Sequence, residues 1–93
     1  MIEYLYNTIR ATTGDDMHIT AIIKDDAGEA IAENCHFMIY NSNDELMSTT
    51  AGTYNELGWE FTIPTTNLDK GKYWYCISHN NQKLCFKQRL YIV

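Results

Sequence analysis

Residues 61–93, FTIPTTNLDKGKYWYCISHNNQKLCFKQRLYIV, decide the fold. Phe61 and Ile63 close an alternating strand that Pro64 ends, because proline has no N–H to donate to a ladder. A corner follows at residues 68–71. Residues 72–79 then form one arm of a long hairpin, Asn80-Asn81 the turn, and residues 82–93 the returning arm. The hairpin carries three Tyr, one Trp, one Phe and two of the three cysteines, so it supplies much of the core. With Tyr73, Tyr75, Ile77, Leu84 and Phe86 facing inward, period-two alternation turns Trp74, Cys76, Cys85, Lys87, Arg89 and Tyr91 outward.

Working back toward the N-terminus, Trp59, Phe61 and Ile63 alternate with Glu60 and Thr62, the cleanest strand pattern in the chain. Residues 45–50 read as a short edge-like strand. Residues 35–41 form a strand with Phe37 and Ile39 on one face and His36, Met38 and Tyr40 on the other. Residues 29–34 are an irregular crossing with Ile31 tucked in, the one place for a helical turn. Residues 17–24 alternate with Met17, Ile19, Ala21 and Ile23 on one face, and residues 2–11 form a first strand. Turn residues separate these runs at 12–16, 25–28, 41–44 and 55–58. Seven short strands without a convincing amphipathic helix predict an all-β, antiparallel sandwich, with residues 1–93 as a single domain.

Ninety-three residues are near the small end of what buries a working core, hiding roughly two-thirds of the unfolded surface. Twelve acidic against seven basic residues give a net charge of −5, which argues against nucleic acid as a partner, since that needs clustered Lys and Arg. The pairs Asp15-Asp16, Asp25-Asp26 and Asp44-Glu45 read as solvated turn chemistry. A calcium loop is the alternative, though the EF-hand spacing is missing. The opening MIEYLYNTIR is not of signal-peptide type, and no apolar run approaches the ~20 residues of a membrane span. A complete chain of this kind is expected to be made in the cytoplasm and to stay there or leave as part of an assembly.

The corner Leu68-Asp69-Lys70-Gly71-Lys72-Tyr73 resembles the D-x-G-x-Y start of the sixth strand of immunoglobulin-like domains. The resemblance implies a seven-stranded sandwich in which residues 35–41 play strand C, the hairpin plays F and G, and the Tyr73 hydroxyl bonds back across the turn. Antibody-type domains place a cysteine two residues after that tyrosine, where Tyr75 stands here; strand B has no cysteine, and Phe37 stands where a Trp is usual. The inter-sheet disulfide is therefore not expected. The D-D-x-G turn, F-T-I-P and G-K-Y-x-Y together are similar to small immunoglobulin-like modules of bacteriophage virion proteins. That likeness implies a structural or accessory role at a capsid, neck, tail or fibre, assembly in the host cytoplasm, and contact with other virion proteins or with further copies of the chain.

Little else specifies chemistry. A two-residue turn at Asn80-Asn81 sets His79 against Gln82 and Cys76 against Cys85, a non-hydrogen-bonded pair with Cα atoms ~4.5 Å apart, at the short end of disulfide geometry. A reducing cytoplasm favours two thiols side by side, with a cross-strand disulfide as the alternative. Zinc would need Cys35, His36, Cys76, His79 and Cys85 to converge, but residues three apart on a strand face opposite ways. No nucleophile elbow, phosphate-binding glycine loop or metalloprotease motif occurs, so neither catalysis nor a cofactor is expected. What remains is Trp74, Lys87, Arg89 and Tyr91, an aromatic and basic group on an acidic protein and a candidate protein-interaction face, unless a second layer or the N-terminal strand covers it. A thiol- or zinc-dependent protein using Cys76 and Cys85, and an adhesin-type surface domain, are the alternative functions.

Overall fold

The computed structural model describes residues 9–56, 58–80, 82–83 and 88–93. The strands are β1 (Ile9–Ala11), β2 (Asp16–Ala21), β3 (Cys35–Tyr40), β4 (Leu46–Ala51), β5 (Thr53–Asn55), β6 (Gly58–Pro64), β7 (Gly71–His79), β8 (Gln82–Lys83) and β9 (Gln88–Ile92). No helix occurs among the described residues, including the crossing at 29–34. There the Ile31 N–H donates to the Ile23 carbonyl at 2.9 Å, and the Trp59 indole N–H donates to the Ile31 carbonyl at 2.6 Å.

The strands form two sheets. The larger runs β1-β9-β7-β3-β4, with β8 beside β7; the smaller runs β2-β6-β5. Apolar residues at alternate positions of each sheet meet between them: Phe37, Ile39, Tyr75, Ile77, Leu90 and Ile92 from the larger, Met17, Ala21, Trp59, Phe61 and Ile63 from the smaller. Phe37 is the hub. Its ring stacks on Tyr75 at 5.2 Å within the larger sheet and meets Phe61 at 5.9 Å across the gap. The architecture is an immunoglobulin-like sandwich, built on the alternation legible in the sequence.

Two features depart from a simple antiparallel reading. β1 pairs with β9 in parallel, Ile9 opposite Leu90 and Ala11 opposite Ile92. The hydrogen bonds Val93 N–H to Ala11 carbonyl and Thr13 N–H to Val93 carbonyl extend that seam. The hairpin also holds more than one register. His79 pairs with Gln82 and Ser78 with Lys83 at the turn, but Tyr75 pairs with Gln88 and Tyr73 with Leu90, an advance of two. A shift of two preserves facing, whereas a shift of one would put every side chain on the wrong side. Tyr73, Tyr75 and Leu90 therefore all still point inward.

The acidic turns have a shared design. The Asp25 carboxylate accepts from the N–H groups of Ala27 and Glu29, and the Asn41 side-chain carbonyl accepts from those of Asn43 and Glu45. In each, the fourth residue, Gly28 or Asp44, has positive φ (81° and 64°). These side chains replace missing backbone partners in tight connections.

At the corner, the Tyr73 hydroxyl donates to the Asp69 carbonyl at 2.7 Å. This is the contact that the sequence resemblance implies. Tyr73→Phe keeps the buried ring and loses only this bond, at a cost of about 1 kcal/mol. A thermal midpoint lower by roughly 4–8 °C is expected by circular dichroism.

Candidate functional site

The outward face of the larger sheet collects the chain's positive charge. β7 contributes Lys72, Trp74, Cys76 and Ser78 to it, and each cross-strand neighbour shares their side. Trp74 stands between Tyr40 on β3 and Arg89 on β9. Tyr91 stands between Lys72 on β7 and Arg10 on β1. Lys83 on β8 is opposite Ser78, and Leu46 on β4 is opposite Tyr40. Four of the seven basic residues thus share one face, and no carboxylate of the described strands joins them.

Among the described residues, the rings of Trp74, Tyr40 and Tyr91 on this face each have a cation over them. The Arg89 guanidinium carbon lies 4.3 Å from the Trp74 ring centre, the Lys83 ammonium 4.6 Å from that of Tyr40, and the Arg10 guanidinium carbon 6.0 Å from that of Tyr91. Such contacts contribute about 0.5–1 kcal/mol at exposed sites. They keep three long basic side chains beside the rings of the sheet.

The outward face of the smaller sheet is different in kind. His18, Thr20, Glu60 and Thr62 are exposed there, with the Thr62 hydroxyl 3.3 Å from His18 Nδ1. It carries polar side chains and no Phe, Trp or Tyr among the described residues.

Of the residues singled out in the sequence, Trp74, Arg89 and Tyr91 come together on this face, while Lys87 lies outside the described residues. Arg10, Lys72, Lys83 and Tyr40 join them, and sequence reasoning missed all four. Alternation places each of these on some outward side. Only the strand order makes it the same side.

Cys76 belongs to the outward side by register, opposite Met38, but it is 0% exposed, so it presents no thiol to solvent. Its expected neighbour Cys85 lies outside the described residues, as do Leu84 and Phe86. The residues considered for zinc divide between faces. Cys35 and His79 are cross-strand neighbours on the inward side, whereas His36 and Cys76 are on the outward side. No group of three or more His, Cys, Asp or Glu able to hold a metal occurs among the described residues.

Cys35 is buried in the core, and burial pushes its thiol pKa up from 9.0 to about 11. In the unfolded chain this thiol ionises first, so the unfolded state binds fewer protons above that point and stability falls as pH rises. The stabilising contribution is whole below pH 9.0 and is lost through about 11. Across that window, the thermal midpoint of the wild type is expected to fall more steeply than that of Cys35→Ala.

No protein-family model matches the chain, and no curated protein matches it in sequence. Among solved structures, the chain is similar to the filamin domain of Lin-41, known from a crystal structure. The TM-score is 0.65 and the identity 13%, with 100% of this chain and 90% of that one covered. At that identity the likeness is one of fold, and it agrees with the immunoglobulin-like sandwich described above.

Proposed function

We propose that this chain is a non-enzymatic protein-interaction module that docks through the outward face of its larger sheet, and that it serves as an accessory component of a bacteriophage virion. One observation carries the first part: a chain of net charge −5 gathers four cations and three aromatic rings on a single sheet face. Trp, Tyr and Arg are the residues that dominate protein interfaces. The virion role rests on the likeness of F-T-I-P and G-K-Y-x-Y to phage structural modules. In that setting the partners are other virion proteins or further copies of the chain, and assembly takes place in the host cytoplasm.

A photo-crosslinking residue placed at Trp74, with Thr62 on the smaller sheet as control, tests the face in the producing cell. A discrete crosslinked product from position 74 but not from 62 is expected, together with the chain itself in purified particles by mass spectrometry. Equal crosslinking from both positions would reject the docking face. Particles that lack the chain would reject the virion role.

A further inference from the structure

We propose that the docking face recognises an extended acidic segment of a partner protein, with carboxylates at alternate positions. The inference rests on the reading of this face as a docking surface and specifies the chemistry of what docks there.

Two arginine forks carry the argument. Arg89 and Tyr91 are same-side neighbours on β9, and Arg10 is directly opposite Tyr91 on β1. Same-side positions are ~6.7 Å apart along a strand and neighbouring strands ~4.8 Å apart, so the two arginine Cα atoms are roughly 8 Å from one another. Alternate side chains of an extended peptide repeat at ~6.7 Å, within reach of two long side chains at that spacing. A guanidinium lying over a ring keeps its N–H edge for a partner, and that edge matches a carboxylate in two parallel hydrogen bonds. The Arg89 guanidinium carbon is 4.3 Å from the Trp74 ring centre, and that of Arg10 is 6.0 Å from the Tyr91 ring centre. Lys72, opposite Tyr91 on the flank away from Arg10, adds positive charge beside Arg89 without a competing carboxylate on the described strands.

Charge also separates this occupant from the others. A nucleic acid gains affinity by releasing counterions from many phosphates, and the chain's twelve acidic residues oppose a long polyanion. A short acidic segment feels mainly the cations within a screening length of ~8 Å. A second copy of this chain offers half of its twelve acids as adjacent pairs at turns, and the Asp25 carboxylate already closes its own turn.

The test uses the full ¹⁵N-labelled chain and three probes: a heptapeptide alternating threonine and glutamate, its lysine counterpart, and an oligothymidylate of similar length. The glutamate peptide is expected to shift the Trp74 indole and the Arg89, Tyr91 and Arg10 amides saturably, with a dissociation constant of about 1 mM or tighter. Affinity should fall several-fold as salt shortens the screening length to about 5 Å. Arg89→Gln and Arg10→Gln should each weaken binding roughly tenfold, and Arg89→Lys should also weaken it because the fork is lost while the charge stays. Unchanged core methyl shifts in these exposed-site variants show that the fold is intact. Equal binding of the lysine peptide overturns the acidic specificity and leaves the docking face standing. Tighter binding of the oligothymidylate, salt-sensitive dimerisation through the face, or no shift at Trp74 by the glutamate peptide overturns the proposal outright. Crosslinking at position 74 is independent of these outcomes, so the failure of the docking face and the failure of its acidic specificity are distinguishable.

Discussion

Phe37→Ala is expected to lower the thermal midpoint by at least about 15 °C and to leave the chain largely unfolded near its working temperature. Phe37 is fully buried, and its ring joins Tyr75 in its own sheet to Phe61 in the other. Removing it takes away the bridge between the sheets. Phe→Ala changes in cores cost about 3–5 kcal/mol, from lost transfer energy and from the cavity left behind. A domain of this size has about 5–15 kcal/mol in all, and small cores are at the low end. Urea titration followed by tryptophan fluorescence measures the loss directly. A midpoint within about 5 °C of wild type would show that the sheets are held together elsewhere.

Gly52→Ala should produce the second-largest loss, and its sign is informative. Glycine to alanine at a compatible site stabilises a protein by about 0.4–1 kcal/mol, because the unfolded chain loses freedom. Here the reverse is expected. Gly52 is the single residue between β4 in the larger sheet and β5 in the smaller, where the chain changes sheets. A Cβ there would sit 2.6 Å from Phe61 Cε1 and 2.7 Å from Trp59 Cε3. Neither ring can yield cheaply: both are core residues, and the Trp59 indole is tied to the Ile31 carbonyl. Overpacking of this kind costs about 1–3 kcal/mol, or a midpoint roughly 5–20 °C lower. Altered near-ultraviolet circular dichroism from Trp59 should accompany it. A stabilised Gly52→Ala variant would mean that the crossing relaxes without disturbing either ring.

These two substitutions divide the architecture from the docking face. Neither Phe37 nor Gly52 touches the cations over Trp74, Tyr40 and Tyr91. Arg10 and Arg89 in turn are exposed and contribute little to the core. Stability and recognition are therefore separable by mutation in this small chain, because the larger sheet uses one side for each.

Alternation in the sequence by itself determined which residues make the core. Phe37 and Ile39, Trp59, Phe61 and Ile63, and Tyr73, Tyr75 and Ile77 are all inside, as their period-two spacing requires. The tyrosine corner was legible too, since its partner Asp69 is only four residues away. These are local properties of a strand or a turn. The parallel seam of β1 on β9, the change of sheet at Gly52 and the gathering of Arg10, Lys72, Lys83 and Arg89 are not. Alternation tells a side chain to point in or out, but says nothing about which strand lies next to it. Cys76 shows the limit from the other direction: its spacing turns it outward, and only the packing of the folded chain takes it from solvent. Strand order depends on contacts between distant segments, so the face that carries the proposed function exists only once the tertiary structure has assembled it.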